Sequence, residues 1–369
     1  MIINRKLVIM LLVYVIIFIF CGRFEIKIGG VQMFKKEEIQ ELCKIYNVES
    51  MEICDVIDTS HGDDDLRFNY KIDQKYVLKI NNHKAVTEEF ISDMNDVMER
   101  YRAIGIYCPS LYKNKHNKYL YSFQKEGTSY VCYLEEYAKY KFYDETVSDF
   151  YEFKMEMLHH VGIMASRYSN QYLVPTRTMW TIIELSPFDT DIDEKQENLY
   201  ELISSLRENS YVELSNKIEN LDILHRNNIK KYLEKLPRCV YQGDLNPSNM
   251  LVDENNHFKG LVDFNMFGTE VNINCFLNEA MYYLTEEDFE ELTAKEIMEK
   301  MEQKQKELMA VILKNYELSE LEKLIMNDYK WITYASFYPN VQMWIYLIKE
   351  HKNEEKVIEM LEILCNLSM

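Results

Sequence analysis

Glycine is scarce in this sequence. Only 10 of its 369 residues are glycine, and those beyond residue 30 are widely separated. The dinucleotide-binding pattern GxGxxG is absent, and so is the Walker A pattern GxxxxGK followed by Ser or Thr. Glycine-rich phosphate-binding loops of these two kinds are therefore excluded, and any phosphate chemistry needs a different arrangement of side chains and backbone.

The sequence also lacks an excess of basic residues and lacks metal-binding cysteine patterns. The chain has 42 Lys and Arg against 61 Asp and Glu, which gives a formal net charge of −19. Nucleic-acid binders carry basic surfaces, so the composition argues against a nucleic-acid partner. The eight cysteines form no CxxC pair, and none lies at zinc-ligand spacing from a histidine. We expect buried free thiols in a protein of the reducing cytoplasm.

The first 32 residues differ from the rest of the chain. Two basic residues precede an unbroken apolar run, Leu7–Phe20, which has the shape of a signal peptide or membrane anchor. The run is shorter than the roughly 20 residues of a spanning helix, and no small-residue cleavage site follows it. Ile28–Gly30 can be encoded by a ribosome-binding sequence just before the Met33 codon. We expect Met33 to be the true start and residues 1–32 to be a mis-assigned extension; a membrane-anchored protein is the alternative if this segment is translated.

Residues 33–138 combine helical and strand patterns. Apolar residues recur at helical spacing in Phe34–Tyr46 and in Glu88–Ala103. Short segments rich in β-branched and aromatic residues predict strands at Cys54–Ser60, Arg67–Ile72, Lys75–Ile80, Tyr119–Phe123 and Tyr130–Glu135. These patterns predict a small α+β domain.

Residues 139–369 are mainly helical in pattern. Amphipathic segments cover Ser148–Tyr168 and the ranges 193–236, 285–316, 318–350 and 353–368. One β interlude, 238–264, interrupts them. The chain therefore reads as α+β and bilobal, with a small β-rich N-terminal lobe and a larger helical C-terminal lobe that contains a hairpin.

The β interlude contains the candidate catalytic and metal-binding residues. Asp244 lies in a tight loop, Asn249 follows five residues later at the start of a strand, and Asp263 follows the return strand. A hairpin would bring Asn249 and Asp263 to the same end. An amide oxygen and a carboxylate there can hold Mg²⁺, which keeps several waters and binds substrate phosphates. Asp244 is then placed to orient a hydroxyl nucleophile or to accept its proton.

These residues, Gly243-Asp244, Asn249 and Asp263-Phe264, resemble the catalytic loop and metal segment of the aminoglycoside phosphotransferase and choline kinase family, which has a protein-kinase-like fold. The family's loop is HGDxxxxN, followed by a DFx segment. The resemblance implies that Asp244 is the catalytic residue and that Asn249 and Asp263 hold the metal.

On its lobe pattern the resemblance extends from residue 34 to about residue 280. It implies ATP and Mg²⁺ as cofactors and an enzyme that phosphorylates a hydroxyl group of a small molecule. The acidic composition favours a cationic acceptor, such as an aminoglycoside or an amino alcohol, although the same charge can simply keep a protein soluble.

The resemblance also implies a set of nucleotide-binding residues in the first lobe. Lys79 matches the strand lysine that contacts the phosphates. A glutamate of the next helix is expected to pair with it, and helical phase favours Glu89 over Glu88. The other implied residues are Ser60 and Gly62 in a loop over the phosphates and Glu136 and Ala138 in the linker that bonds the adenine edge. The acids Asp63–Asp65 beside that loop have no role in this scheme.

The sequence departs from the family at three places. Gln242 stands where the family has histidine, and we expect it to keep one hydrogen bond. Asn265 replaces the Gly or Asp that follows the DF pair. The usual Asp-Pro brace is missing, and Asn272 or Asn274 is expected to replace it. These changes support an alternative function, a weak or inactive kinase-fold binding protein such as a spore-coat-type component.

Overall fold

The computed structural model describes residues 34–49, 52–60, 62, 65–147, 149–187, 189 and 191–367. The N-terminal segment with the expected start at Met33 lies outside these residues, as do His61, Asp63 and Asp64. The chain divides into two compact units. The first comprises the described residues up to Asn95 together with Pro109–Lys139, and the second comprises Asp96–Cys108 and the residues from Tyr140 onward. The sequence analysis placed the boundary after residue 138; in the structure Lys139 groups with the first unit and Asp96–Cys108 with the second.

An antiparallel sheet is the centre of the first unit. Its strands are β1 (Ile53–Asp58), β2 (Arg67–Ile72), β3 (Tyr76–Asn81), β4 (Leu111–Tyr112), β5 (Tyr121–Lys125) and β6 (Thr128–Glu136). The strand order is β1-β2-β3-β6-β4, and β5 pairs with β6. In β2, Phe68, Tyr70 and Ile72 are buried and alternate with less buried residues, because successive side chains of a strand point to opposite faces.

One short helix, α1 (Lys36–Ile45), contributes to the hydrophobic core that packs against this sheet. Its buried residues Ile39, Leu42 and Cys43 form one hydrophobic cluster with the inward side chains of the strands. A longer helix, α2 (Glu88–Ala103), begins in the first unit and ends in the second. The helices and the main strands of this region match those predicted from the sequence, so the prediction of a small α+β domain is confirmed.

The second unit is mainly helical, as predicted. Its helices are α3 (Phe150–Tyr168), α4 (Glu194–Glu208), α5 (Val212–Lys230), α6 (Asn272–Glu279), α7 (Glu286–Glu291), α8 (Ala294–Leu313), α9 (Glu320–Ser336), α10 (Tyr338–Lys349) and α11 (Glu354–Asn366). Three segments predicted as single helices are each divided into two. Ser210 has a left-handed backbone between α4 and α5, Thr293 caps α8 with its hydroxyl, and Pro339 stands in the first turn of α10.

Five short strands lie among these helices: β7 (Lys141–Phe142), β8 (Arg238–Tyr241), β9 (Met250–Val252), β10 (Phe258–Leu261) and β11 (Gly268–Val271). They form one sheet of order β10-β9-β7 and a separate β11-β8 pair. The predicted hairpin is the β9–β10 pair. Strand β11 was not predicted; it pairs with β8 and so flanks the loop that follows β8.

Cysteine and membrane predictions can be compared with the described residues. Six of the seven described cysteines are buried and Cys54 is exposed, and all seven are free. Among the helices of the described part, none is both long and apolar enough to cross a membrane.

Candidate active site

The loop between β8 and β9 contains a glycine that the structure requires. Gly243 has φ +86°, and a Cβ atom built there would lie 2.0 Å from the carbonyl oxygen of Met266. Both the left-handed backbone and the close approach exclude a side chain. The loop ends with a single 3₁₀ turn, Pro247–Asn249, which leads into β9. The backbone of this loop is therefore tightly constrained on both sides of Asp244.

Asp244 is held by two side-chain amides. Asn246 Nδ2 donates to Asp244 Oδ1 at 2.7 Å, and Asn249 Nδ2 donates to Asp244 Oδ2 at 2.7 Å and to its backbone oxygen at 3.0 Å. Burial, and then the negative charge of nearby Asp263, raise the pKa of Asp244 to about 6, while the amide donors act in the opposite direction. The carboxylate is thus oriented, and its pKa lies closer to that of a general base at neutral pH.

The hairpin brings Asn249 and Asp263 together, as its sequence predicted. Met250 pairs with Leu261, and the Val262 N–H donates to the backbone oxygen of Asn249 at 3.0 Å. Asp263 has φ +55°, a left-handed conformation that turns the chain out of the strand direction.

Asn249 and Asp263 carry donor atoms of the kind that a magnesium site uses. The Asn249 nitrogen is engaged with Asp244, which leaves Oδ1 as its metal-binding atom. A carboxylate and an amide oxygen are hard donors of the kind Mg²⁺ prefers. Among the described residues no three His, Cys, Asp or Glu side chains cluster so as to hold a metal alone. A metal at this pair would therefore complete its coordination with water and phosphate oxygens.

Gln242 connects the catalytic loop to the segment that carries Asp263. Its Nε2 donates to the carbonyl oxygens of Val262 at 3.2 Å and of Asp263 at 2.7 Å. Its Oε1 accepts from the Asp244 N–H at 2.7 Å. The sequence analysis expected one hydrogen bond from this glutamine, and the structure shows three.

Asn272 and Asn274, the two residues expected to replace the Asp-Pro brace, have different partners. Asn272 Oδ1 accepts from the Tyr241 hydroxyl at 2.9 Å, and its Nδ2 donates to Ser169 Oγ at 2.7 Å and to Tyr316 Oη at 3.0 Å. Asn274 instead donates to the carbonyl oxygen of Trp180. Of the two candidates, Asn272 is the one that contacts the strand preceding the loop.

A small cavity adjoins the catalytic loop within the second unit. Its lining includes Gly243 and Leu245 of the loop, together with Trp180, Asn278 and Glu279. The Oδ1 atom of Asn278 is buried and has no hydrogen-bond partner within the described part of the chain. A buried acceptor without a donor is costly unless another molecule supplies one.

Two buried carboxylates border this cavity, and two buried lysines balance them. Glu270 and Glu279 line it, and burial raises the pKa of both. Burial lowers the pKa of Lys154 to about 8, opposed by Glu279, and that of Lys195 to about 8, opposed most strongly by Glu270. Thr178 also donates a 2.6 Å hydrogen bond to Glu270. The two acids and two bases therefore compensate one another in the interior.

In the first unit, Lys79 forms an ion pair within the sheet. Its Nζ lies 3.1 Å from Glu135 Oε2, and both side chains are largely buried. Lys79 is directly opposite Tyr133 in the β3–β6 pair, so Glu135, two residues further along β6, is its diagonal neighbour on the same face.

The expected pairing of Lys79 with a helix glutamate differs from the structure. Glu88 accepts hydrogen bonds from the backbone N–H groups of Tyr119 and Leu120 at 3.0 and 2.8 Å. Glu89 is exposed and forms no ion pair in the described part of the chain. Glu88, in the first turn of α2, thus binds the backbone at Tyr119 and Leu120. The carboxylate beside Lys79 comes from the adjacent strand β6.

The structure describes Ser60 and Gly62 of the predicted phosphate loop. Ser60 donates from its N–H and its hydroxyl to Asp58 Oδ1 at 2.9 and 2.5 Å, and its hydroxyl accepts from the Arg67 N–H. The carbonyl oxygen of Gly62 accepts from the Asp65 N–H at 3.1 Å. The Asp65 carboxylate binds Arg67 at 2.7 Å through both oxygens, so the charge of this one acid is paired.

The predicted adenine-binding residues follow the end of the sheet. The Glu136 N–H donates to the Ser110 carbonyl oxygen at 2.8 Å, and Glu136 Oε1 lies 2.8 Å from Lys139 Nζ. A bond from the Glu136 backbone to adenine would therefore use its carbonyl oxygen. Ala138 follows two residues later, and the adenine role of both residues stays a prediction.

Comparisons with known proteins give structural neighbours only. No protein-family model matches the chain, and no curated protein matches it. Similar solved structures include amicoumacin kinase hAmiN in complex with AMP-PNP, Ca²⁺ and Ami (TM-score 0.49, 11% identity, covering 91% of this chain and 94% of that chain). Spectinomycin phosphotransferase APH(9)-Ia in complex with ADP and spectinomycin has a TM-score of 0.48 at 10% identity, covering 90% of this chain and 99% of that chain.

The streptomycin–ATP–APH(2")-IIa ternary complex is also similar, with a TM-score of 0.43 at 15% identity, covering 90% of this chain and 99% of that chain. With TM-scores below 0.5 and identities of 15% or less, these similarities by themselves assign neither an activity nor an acceptor to this chain.

Several residues around the site were not identified from the sequence. Tyr101 accepts a 3.1 Å hydrogen bond from the Gln242 N–H, and its ring packs edge-on against Phe264 with centroids 5.6 Å apart. In the sequence Tyr101 is one of several apolar-face residues of α2, and nothing local separates it from them. Asn278 and Glu279 were missed because β11 and α6, which lead to them, were not predicted.

Proposed function

We propose that this protein is an ATP- and Mg²⁺-dependent phosphotransferase that phosphorylates a hydroxyl group of a small molecule. The observation that carries the proposal is the connected set of Asp244, Asn249 and Asp263. Asn249 bonds Asp244 directly, and Gln242 bonds the backbones of Asp244 and Asp263. The resemblance of this segment to the aminoglycoside phosphotransferase and choline kinase family supports the same reaction.

In this proposal Asp244 receives the acceptor hydroxyl. The hydroxyl oxygen attacks the γ-phosphorus of ATP, its proton passes to Asp244, and the bond from phosphorus to the bridging oxygen breaks to release ADP. Phosphoryl transfer depends mainly on positioning and charge neutralisation. The two amides that bind Asp244 hold its oxygens in place, so little reorientation is needed when the hydroxyl arrives.

Asn249 Oδ1 and the Asp263 carboxylate would hold the metal. When bound, Mg²⁺ supplies positive charge to the phosphate oxygens. The Asn249 nitrogen remains with Asp244, so one side chain would orient both the metal and the catalytic carboxylate.

Residues of the first unit are assigned to the nucleotide. Lys79 would contact the phosphates, with Glu135 fixing its ammonium group at 3.1 Å. Ser60 and Gly62 would lie in the loop over the phosphates. The backbone of Glu136 and Ala138 would bond the adenine edge.

The acceptor is proposed to carry an amino group. Asn278 and Glu279 line the cavity next to the loop. Their side-chain oxygens are hydrogen-bond acceptors, and an ammonium group supplies donors only. Because Lys154 and Lys195 balance the buried acids, the support comes from the unpaired Asn278 oxygen rather than from a surplus of negative charge. Aminoglycosides and amino alcohols both meet this description.

The test is an acceptor screen with Mg·ATP that measures ADP release across aminoglycosides, amino alcohols and sugars. Turnover on one class, lost in Asp244→Asn while nucleotide still raises the melting temperature, supports the proposal. Nucleotide-induced stabilisation without turnover on any class would instead favour a kinase-fold binding protein. Absence of both nucleotide binding and turnover would contradict both functions.

A further inference from the structure

The side chain of Gln242 satisfies three backbone groups at once. Its amide nitrogen donates to the carbonyl oxygens of Val262 and Asp263, and its amide oxygen accepts from the Asp244 N–H. Gln242 is fully buried, with 0% of its surface exposed. Water therefore has no access to replace a bond that is lost.

The chemistry of this position calls for two donors and one acceptor on one side chain. A primary amide provides this combination, because its nitrogen carries two hydrogens and its oxygen accepts. A neutral imidazole has one donor and one acceptor, and an imidazolium has two donors and no acceptor. A histidine here would leave at least one buried backbone group without its partner, whichever form it takes.

The position of Gln242 is itself constrained. Tyr101 accepts a hydrogen bond from the Gln242 N–H and packs its ring against Phe264. At Gly243, the contact with the Met266 carbonyl oxygen keeps the loop close to the segment that follows Asp263. The amide of Gln242 therefore joins two segments that are already in close contact, and its bonds go to the backbones of the two acids themselves.

We propose that Gln242 is a positioning residue that fixes Asp244 relative to Asp263, and that the side-chain amide is specifically required for this role. The catalytic part of this inference rests on the proposed phosphotransferase function. In this proposal Gln242 replaces the histidine of the family in its positioning role. Its amide forms one more hydrogen bond than an imidazole can form.

The test uses Gln242→Met, which keeps the size but removes all three bonds, and Gln242→His, which keeps two of them. The expected kcat falls by about 10²-fold in Gln242→Met, because small displacements of reacting groups have effects of that order. Gln242→His is expected to retain an intermediate kcat. The KM for ATP should change little in either variant, because neither substitution alters Lys79.

Asn340→Leu is the matched control. Asn340 is also fully buried, and it bonds the backbones of Leu284 and Tyr282 at 3.0 and 3.1 Å. The control should lower the melting temperature as Gln242→Met does but leave kcat unchanged. A folded Gln242→Met with the kcat of the unsubstituted protein would overturn the proposal, and so would an equal loss of kcat in Asn340→Leu.

A second measurement does not depend on catalysis. Amide hydrogen exchange of peptides covering residues 241–250 reports on the Asp244 N–H that Gln242 binds. Exchange should be faster in Gln242→Met than in Asn340→Leu, because only Gln242→Met removes the acceptor of the Asp244 N–H. If the unsubstituted protein shows no turnover but the exchange result holds, the phosphotransferase function fails and the structural role of Gln242 stands. If Gln242→Met does not fold, Gln242→His decides by kcat, and a folded Gln242→His with the kcat of the unsubstituted protein refutes the role.

Discussion

Asn249 Nδ2 lies 2.7 Å from Asp244 Oδ2 and donates a hydrogen bond to it. A second bond, of 3.0 Å, joins the same nitrogen to the Asp244 backbone oxygen. The proposed metal ligand and the proposed catalytic carboxylate are thus connected directly, five residues apart in the chain. This contact orients Asp244 by an amide that donates only from its nitrogen and leaves its oxygen for a cation.

Substitution of Asn249 by aspartate separates these two functions. Asn249→Asp keeps oxygen ligands for Mg²⁺, but it removes both hydrogen bonds that Asn249 donates to Asp244 and adds a like charge beside it. We expect kcat to fall by about 10²-fold or more, with a smaller change in the Mg²⁺ concentration that supports half-maximal rate. Steady-state kinetics with varied Mg²⁺ measures both. Asn255→Asp, in the exposed turn of the same hairpin, is the control for added charge; equal effects of the two substitutions would contradict the prediction.

Gly243 is predicted to tolerate no side chain. Gly243→Ala combines an unfavourable backbone conformation with a Cβ contact of 2.0 Å to the Met266 carbonyl oxygen. Gly127 has the same φ of +86° but open space around its Cβ position. Gly127→Ala should cost about 1–2 kcal/mol of stability from conformation alone, and Gly243→Ala should cost about 1–3 kcal/mol more from overpacking. Chemical denaturation measures both, and similar losses would show that the loop can relax.

The glutamate that supports Lys79 is predicted to be Glu135. Glu135→Gln removes the charge beside the ammonium group, so the KM for ATP should rise by about 10-fold, the order expected for a charge-assisted hydrogen bond. Glu89→Gln should leave it unchanged, since Glu89 is exposed and forms no ion pair with the described residues. Kinetics or nucleotide titration of the two variants distinguishes them. The reverse result would restore the assignment made from the sequence.

Glu279 is predicted to affect acceptor binding. Glu279→Gln should raise the KM for an amine-bearing acceptor by about 10-fold and leave that for its deaminated analogue unchanged, because only the amine meets the lost charge. The melting temperature should also fall, since Lys154 loses its counter-charge in the interior. Paired acceptors measured on the same variant separate recognition from stability. An equal rise in KM for both acceptors would argue against a role in amine recognition.

Glu194 makes stability depend on pH. Burial, and then the neighbouring acids Glu197 and Asp189, raise the pKa of Glu194 to about 7 from its ordinary value of 4.5. Between these two values the folded chain binds more protons than the unfolded chain, so this group lowers stability as pH rises. Glu194→Gln should therefore be more stable than the unsubstituted protein at pH 8, and this difference should vanish below about pH 4.5. Denaturation at several pH values tests this, with the exposed Glu208→Gln expected to show no such trend.

The hairpin chemistry could be predicted because it is local. Gly243, Asp244, Asn249 and Asp263 lie within one short stretch of chain, and strand pairing of Met250 with Leu261 follows from the alternation and the turn. The breaks within three long helical segments were not predicted. Caps and left-handed residues, such as Thr293 and Ser210, begin or end a helix at points where the apolar pattern of the sequence continues.

The sequence by itself determined the fold class and identified the candidate metal-binding and catalytic residues, because side-chain type and short spacing are sufficient for both predictions. Only the tertiary structure decided that Glu135 accompanies Lys79, that Gln242 makes three bonds and that Tyr101 supports it. Gln242 and Tyr101 are 141 residues apart, and Glu135 and Lys79 lie on different strands. Contacts between distant segments depend on how the elements pack, and no pattern within a single segment records them.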